Sequence, residues 1–245
     1  MPLALGKLQE EGEIRRVPVN GRLDQQRYRY TMWRPNPLST FHLAQDEVHA
    51  AVAKRYFHWT GPATLTEFQW FSGLGVKAVK AAIAGLGLVP IPGDESRLLL
   101  PDDLDALRAF ALPRAPAPVL VSSLDALVLL RRDLPSLIAD EDRQAKVLAD
   151  RGVVNLGGLS DLPSHAVVDR GRVIGLWEFD PDSGTIAWMT FGKPTKAAAA
   201  GIAEAVAKTE AFVRDDLGDA RSFSLDSPKS RAPRIAAIRR AAKAR

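Results

Sequence analysis

Between Phe68 and Ile83 the chain reads FQWFSGLGVKAVKAAI, and two different chemistries use that spacing. Gly73, Gly75 and Ala78 spell G-x-G-x-x-A, and Asp94 and Glu95 follow some way downstream. In a dinucleotide site such glycines let the backbone approach a pyrophosphate, and the carboxylate holds a ribose hydroxyl. The same letters also serve as the turn between two helices that cross sharply, the second of which can lie in a DNA groove. The flanking elements decide between the two.

A dinucleotide site requires a buried parallel strand directly before the first glycine. Here Thr64-Leu-Thr-Glu67 has the form of a capping box and opens a short helix through Phe71 instead. The segment offered as the second strand, LVPIP, contains Pro90 and Pro92, which a central strand tolerates poorly. GDES then reverses the chain into RLLLP, a hairpin and not a crossover helix. Upstream, Ala44, Val48, Ala51, Val52 and Tyr56 recur at helical spacing up to His58. Helix, short helix, tight turn, helix, hairpin is the order of a winged helix-turn-helix, and no nucleotide cofactor is expected. On the second helix Val76, Val79, Ile83 and Leu86 are expected to face inward, leaving Lys77, Ala78, Lys80, Ala81 and Ala84 outward. Lysines neutralise phosphates but read bases poorly, so weak sequence specificity is expected.

The first residues repeat the second half of that pattern. Leu3, Leu5 and Leu8 mark a helix that stops at Gly12, and Asn20-Gly21 turns a hairpin rich in cations: Arg15, Arg16, Arg22, Arg27 and Arg29. They read as the end of a preceding winged-helix module whose first helices lie upstream of Met1. Arg97 sits on the second wing. LPRAPAP, with three prolines in seven residues, marks a boundary. Beyond it VLVSS, HAVVD, RVIGLWEF and TIAWMTF read as strands, with a helical or loop region to Asp150, a long alanine-rich helix and a basic helix at the end. The expected fold class is therefore α+β. It comprises a partial winged-helix module over 1–35, a complete winged helix-turn-helix over 41–112, and a β-rich, barrel-like domain with C-terminal helices over 118–245.

Composition narrows the chemistry further. The 245 residues are 46% hydrophobic and 25% charged, the balance of a folded globular protein. No cysteine is present, which removes disulfides, thiol nucleophiles and thiolate metal sites. MPLALGKLQEEG lacks the pattern of a signal peptide and no apolar run approaches membrane-spanning length, so a soluble cytoplasmic protein is expected. The net charge is +4, but seven cations and no acid follow Asp226. Removing those seven leaves 26 basic against 29 acidic residues. The tail cations, Arg231, Arg234, Arg239 and Arg240 among them, are expected to meet phosphate. His42, His49, His58 and His165 are too scattered for a metal centre, and none is expected. Trp59, Trp70, Trp177 and Trp188 fall within apolar patterns and are expected in the core. Asp125, just past a strand end, is placed to cap a helix or to face a cleft.

LGKLQEEGEIRRVPVNG and RYRYTMW, followed by RYFHWTGPATLTEFQWFSGLGVKAVKAAI, resemble the bacterial winged-helix family that contains DNA glycosylases of the AlkZ and YcaQ type. SSLDALVLLRR and HAVVDRGRVIGLWEF resemble that family's β-rich domain. The resemblance implies double-stranded DNA as partner and removal of alkylated or crosslinked bases as the family's activity. The family's signature, Gln-x-Gln or Gln-x-Asp, has no counterpart: Gln9, Gln25, Gln26, Gln45, Gln69 and Gln144 all lack Gln or Asp two positions on. The family's Pro-Phe-Asp is Ser123-Leu124-Asp125 here. The chain thus resembles a shortened member without the catalytic module. It is expected to bind DNA without excising bases, linked to DNA repair. Two alternatives stand beside this: a glycosylase in which Asp125 or Gln69 has taken over, or a module that binds a protein partner.

Overall fold

The computed structural model describes residues 2–19, 27–150, 152–222 and 226–244. Two compact units result, Met1–Gln45 and Asp46–Arg245. In the first, helix α1 (Pro2–Glu10) leads through a tight turn into the antiparallel hairpin of β1 (Ile14–Pro18) and β2 (Tyr28–Met32). Gly12 turns the chain at φ +70°, and a Cβ there would strike Asn36. Asn36 fastens the turn by donating to the Glu11 carbonyl at 3.0 Å and the Glu13 carboxylate at 2.9 Å. Ile14 is the buried apolar side chain of this unit among the described residues, so the hairpin exposes nearly everything it carries. Arg22 lies outside the described residues.

The second unit opens with α2 (Gln45–Thr60), α3 (Leu65–Ser72) and α4 (Val76–Ile83), then the antiparallel hairpin of β3 (Val89–Ile91) and β4 (Asp94–Leu99), then α5 (Pro101–Ala109). Thr64 makes the expected capping box: its hydroxyl accepts from the Glu67 N–H, and the Glu67 carboxylate accepts from the Thr64 N–H. An aromatic knot holds the helices, with Tyr56 against Phe57, Phe68 and Phe71 at ring separations of 4.7–5.5 Å. Ala53, Ala63, Val79 and Ala82 fill the remaining space. Three inward expectations fail here. Val76 is exposed because α4 turns Val79 and Ala82 toward the core instead. Trp59 is 65% exposed, and Trp70 lies at the surface beneath the Arg132 guanidinium, 4.9 Å from its ring.

After the proline linker, β5 (Pro118–Val121), β8 (His165–Asp169), β9 (Arg172–Asp180) and β10 (Thr185–Thr190) form one antiparallel sheet in the order β10-β9-β8-β5. Helix α6 (Ala126–Leu129) and a small hairpin, β6 (Lys146–Ala149) with β7 (Gly152–Asn155), lie between β5 and β8 in the chain. The barrel-like expectation is corrected: the sheet is open, with β5 and β10 as its edges. Four strands are too few to close on themselves around a side-chain core. Helices α7 (Lys196–Phe212) and α8 (Pro228–Lys243) cover the sheet instead. Ile202 of α7 packs with Val167, Trp177, Phe179 and Ile186. Ile235 and Ile238 of α8 pack with Val168, Val173, Leu176 and Met189. β8 is buried along its whole length, as a central strand should be. The helical part joins the sheet part through the Tyr56 hydroxyl, which donates to the Leu130 carbonyl at 3.1 Å, and through Arg131, which donates to the Thr60 carbonyl.

His165, on β8, is buried against Trp177 with 4.2 Å between ring centroids, and its Nδ1 accepts from the Ser123 N–H at 3.0 Å. Burial, reinforced by the nearby Arg234 cation, pushes its pKa down to about 3. A depressed histidine stabilises the fold in its neutral form. As the pH falls below about 6.5 the unfolded chain takes up the proton first, and stability drops by roughly 1.4 kcal/mol per unit toward pH 3. Urea midpoints measured from pH 6.5 to 5 should therefore fall in the native protein. His165→Asn keeps an acceptor near Nδ1 but cannot titrate, so its slope should be flatter; equal slopes would contradict this assignment.

Candidate nucleic-acid interface

In the first unit the strand pairing sorts the hairpin cations onto two faces. Arg16 stands opposite Tyr30, and its guanidinium lies 5.8 Å from the ring centroids of both Tyr28 and Tyr30. Both rings are exposed, so this face offers two aromatic surfaces with a cation between them. Arg15 stands opposite Thr31, 5.9 Å from the Trp33 ring, and Arg29 stands opposite Val17 on the same side. Arg27 is exposed at the far end of the pair, its carbonyl accepting from the Val19 N–H. None of these four makes an ion pair among the described residues. Arg34, by contrast, is held by Glu13 at 2.9 Å.

In the second unit the Gly73-x-Gly75 turn does what a helix junction requires. Gly73 closes α3 in the left-handed region at φ 67°, its N–H donating to the Gln69 carbonyl. Gly75 precedes α4 at φ −69°, with open space where a Cβ would stand, so no close approach demands a glycine there. A helix precedes the turn where a nucleotide site needs a strand, and Asp94 spends its carboxylate on Ser96 and Arg97. Lys77 and Lys80 project from α4 one turn apart, both exposed and neither ion-paired among the described residues; Ala81 and Ala84 lie exposed beside them. Such a face can touch a phosphate backbone without reading bases.

Three cations expected at DNA are engaged elsewhere. Arg97, on β4, reaches Asp133 at 2.8 Å, Glu67 at 3.4 Å and Asp94 at 3.6 Å, and so ties the hairpin to α3 and to the segment after α6. Arg231 is 0% exposed and clamps Asp219 at 2.7 and 3.1 Å while donating to the Ala220 carbonyl. Arg234 is 8% exposed, with Glu178 at 2.8 Å and Asp226 at 2.5 Å. The basic tail is a core helix whose first two arginines face the sheet, and the expectation that they meet phosphate is withdrawn. Arg239 is half-exposed and held by Asp180 at 2.7 Å; Arg240 is exposed. Periodicity alone could have shown this: Arg231, Arg234, Ile235 and Ile238 share one helical face.

Asp125 caps α6, its carboxylate accepting from the Leu127 N–H at 2.8 Å in an exposed turn. Gln69 is half-buried on α3. The structure brings neither one against the other cited residues as a catalytic pair would require. Sequence reasoning missed Arg132, which adopts a left-handed backbone at φ 52°, covers Trp70 and pairs with Asp161 at 2.6 Å. It also missed Asn36. Neither residue carries a pattern that periodicity could reveal. Among the described residues no cluster of three metal-ligating side chains forms, and no helix is long and apolar enough to cross a membrane.

Comparison with family models matches residues 3–212 to the family described as DNA glycosylase AlkZ-like. Among solved structures, the Streptomyces sahachiroi DNA glycosylase AlkZ is similar at a TM-score of 0.56 and 24% identity. The likeness covers 83% of this chain and 54% of that one, so the chain spans about half the length of that protein. A comparison with curated proteins finds no match.

The two classes of cation should separate on substitution. Arg234→Ala strands Glu178 and Asp226 in the interior and should cost about 3–5 kcal/mol of stability. Arg240→Ala and Lys77→Ala should change it by less than about 0.5 kcal/mol. Urea titration measures both, and a tolerant Arg234→Ala would overturn the division.

Proposed function

The chain belongs to the AlkZ-like DNA glycosylase family, and from that premise we propose that it grips duplex DNA in the service of excising alkylated or crosslinked bases. The observation that carries the reading is the set of exposed cations that have no ion-pair partner among the described residues, on the β1–β2 hairpin and on α4, in a chain of this family. We read α2, α3, α4 and the β3–β4 hairpin as a winged helix-turn-helix over 41–112. Helix α1 and the first hairpin are read as the end of a preceding one over 1–35, and 118–245 as the β-rich partner domain. In this reading Arg15, Arg16, Arg27, Arg29, Lys77 and Lys80 neutralise phosphates, with Arg240 as a further contact. The alanines between the lysines let α4 approach the backbone closely. Specificity for sequence is weak, because no Arg, Asn or Gln on the α4 face offers a bidentate pair to a base. A cytoplasmic location goes with this role.

Excision requires a base turned out of the stack and a polar group that positions water. Asp125 is spent on its cap, so it is not given that role. A second reading, binding without excision, is favoured by one specific observation: Asp125, the carboxylate the sequence offers for catalysis, is committed to capping α6.

Duplex binding followed by anisotropy between 50 and 200 mM salt should lose affinity steeply, with a slope that counts phosphate contacts. Replacing Lys77 and Lys80 together, or Arg15 and Arg16 together, should lower that slope by about one per contact removed and weaken unrelated sequences alike. Affinity that ignores salt would refute the proposal. Abasic sites formed on alkylated or crosslinked duplex support excision; intact duplex with binding retained supports the second reading.

A further inference from the structure

Strand β10 is an edge of the sheet, and its outer side faces a groove of about 820 Å³. β10 itself, the Gly192–Pro194 turn, Ala199 of α7 and the last turns of α8 line this groove. The hydrogen-bond alternation shows which backbone groups turn toward it. Phe191 N–H donates to the Ile174 carbonyl, and by register Ala187 and Met189 also spend their groups on β9. Ile186, Trp188 and Thr190 therefore point theirs outward. The Ile186 N–H is taken by the Glu210 carboxylate at 2.8 Å, whereas no partner is found for the Trp188 backbone among the described residues. An edge with open backbone groups is a template for another strand, and folded proteins ordinarily blunt such edges. The surroundings also carry a charge preference. Lys193, Arg239 and Lys243 line the groove, no acidic side chain among the described residues does, Glu210 meeting the strand only at its Ile186 end, and the floor is apolar, with Ala187, Met189 and Ala242.

We propose that this groove receives an extended acidic segment of a partner protein, added to the sheet as a fifth strand beside β10. Its backbone meets the open groups of Trp188, alternate apolar side chains rest on the floor, and carboxylates meet Lys193 and Lys243, with Arg239 oriented by Asp180. A phosphodiester backbone would satisfy the cations but not the strand edge, which needs donors and acceptors at strand spacing. A second copy of this chain paired through the same edge fits poorly, since among the described residues the groove is lined by no acid that would answer its own cations. The inference stands apart from base excision and from the cations of the first hairpin and α4.

The probe is a short fluorescent peptide alternating valine with glutamate or aspartate, tested on the full chain. Three controls accompany it: the same peptide with lysine for each acid, the acidic peptide with a central proline, and a duplex competitor. The acidic peptide should bind, slow exchange of the Trp188 amide, and lose at least about tenfold in affinity with Lys193→Glu combined with Lys243→Glu. Both lysines are exposed, so circular dichroism should show the double variant folded. The lysine and proline peptides should fail. The proposal is overturned if the proline peptide binds equally well, if Trp188 exchange is unmoved, if the acidic peptide does not bind, or if duplex DNA displaces it with the same dependence on the two lysines.

Discussion

Glu178 is buried near the end of β9, and that single placement dictates how the sheet is covered. A carboxylate with no exposure needs a cation and hydrogen bonds close by, or it would force a large desolvation cost. Arg234 supplies the cation and Ser222 a hydroxyl at 2.8 Å, while Asp226 takes the other side of the guanidinium. α8 must therefore dock with its Arg234 face against the sheet, which brings Ile235 and Ile238 onto Val173 and Met189. Its neighbour Arg231 extends the same arrangement to Asp219, at the end of the chain's approach to α8. Buried ion pairs of this sort contribute little net stability compared with apolar packing, but they penalise every other docking of the helix.

The same constraint decides which cations are left for a ligand. Charge near the end of the chain looks like a phosphate-binding tail until its helical phase is resolved, and then Arg231 and Arg234 are structural and Arg239 is held by Asp180. Of the cations that the sequence assigns to DNA, those still available among the described residues are few: four arginines on a small hairpin and two lysines on α4, with Arg240 beyond them. That fits a protein that holds DNA by its backbone and leaves discrimination to something other than base-edge contacts. The hairpin's first face differs in kind, because Arg16 lies between two exposed tyrosines and presents rings as well as charge.

Much of the fold was legible in the sequence where local rules act alone. The capping box at Thr64, the left-handed Gly73, the three helices and the strands around Arg170-Gly171 and Gly184 follow from spacing and turn residues. What escaped depends on contacts between distant segments. The β6–β7 hairpin is two four-residue strands whose pairing only the surrounding core makes worthwhile. The barrel expectation ran against the strand count itself, since the four strands read after the linker are those of the open sheet and are too few to close. Trp59 and Trp70 obeyed an apolar pattern yet lie at the surface, because burial of a large ring depends on what packs over it. Of the candidate site, Lys77, Lys80 and the hairpin arginines were visible as residues, whereas the engagement of Arg97, Arg231 and Arg234 required knowing where Asp133, Asp219 and Glu178 end up.

The central claim is that DNA is held by the hairpin and α4 while α8 serves the core. Amide hydrogen exchange with and without a duplex tests it most directly. The account predicts slower exchange on 14–18, 28–32 and 76–84, with 228–238 unchanged. Protection centred on 228–238, with the hairpin and α4 unaffected, would contradict it.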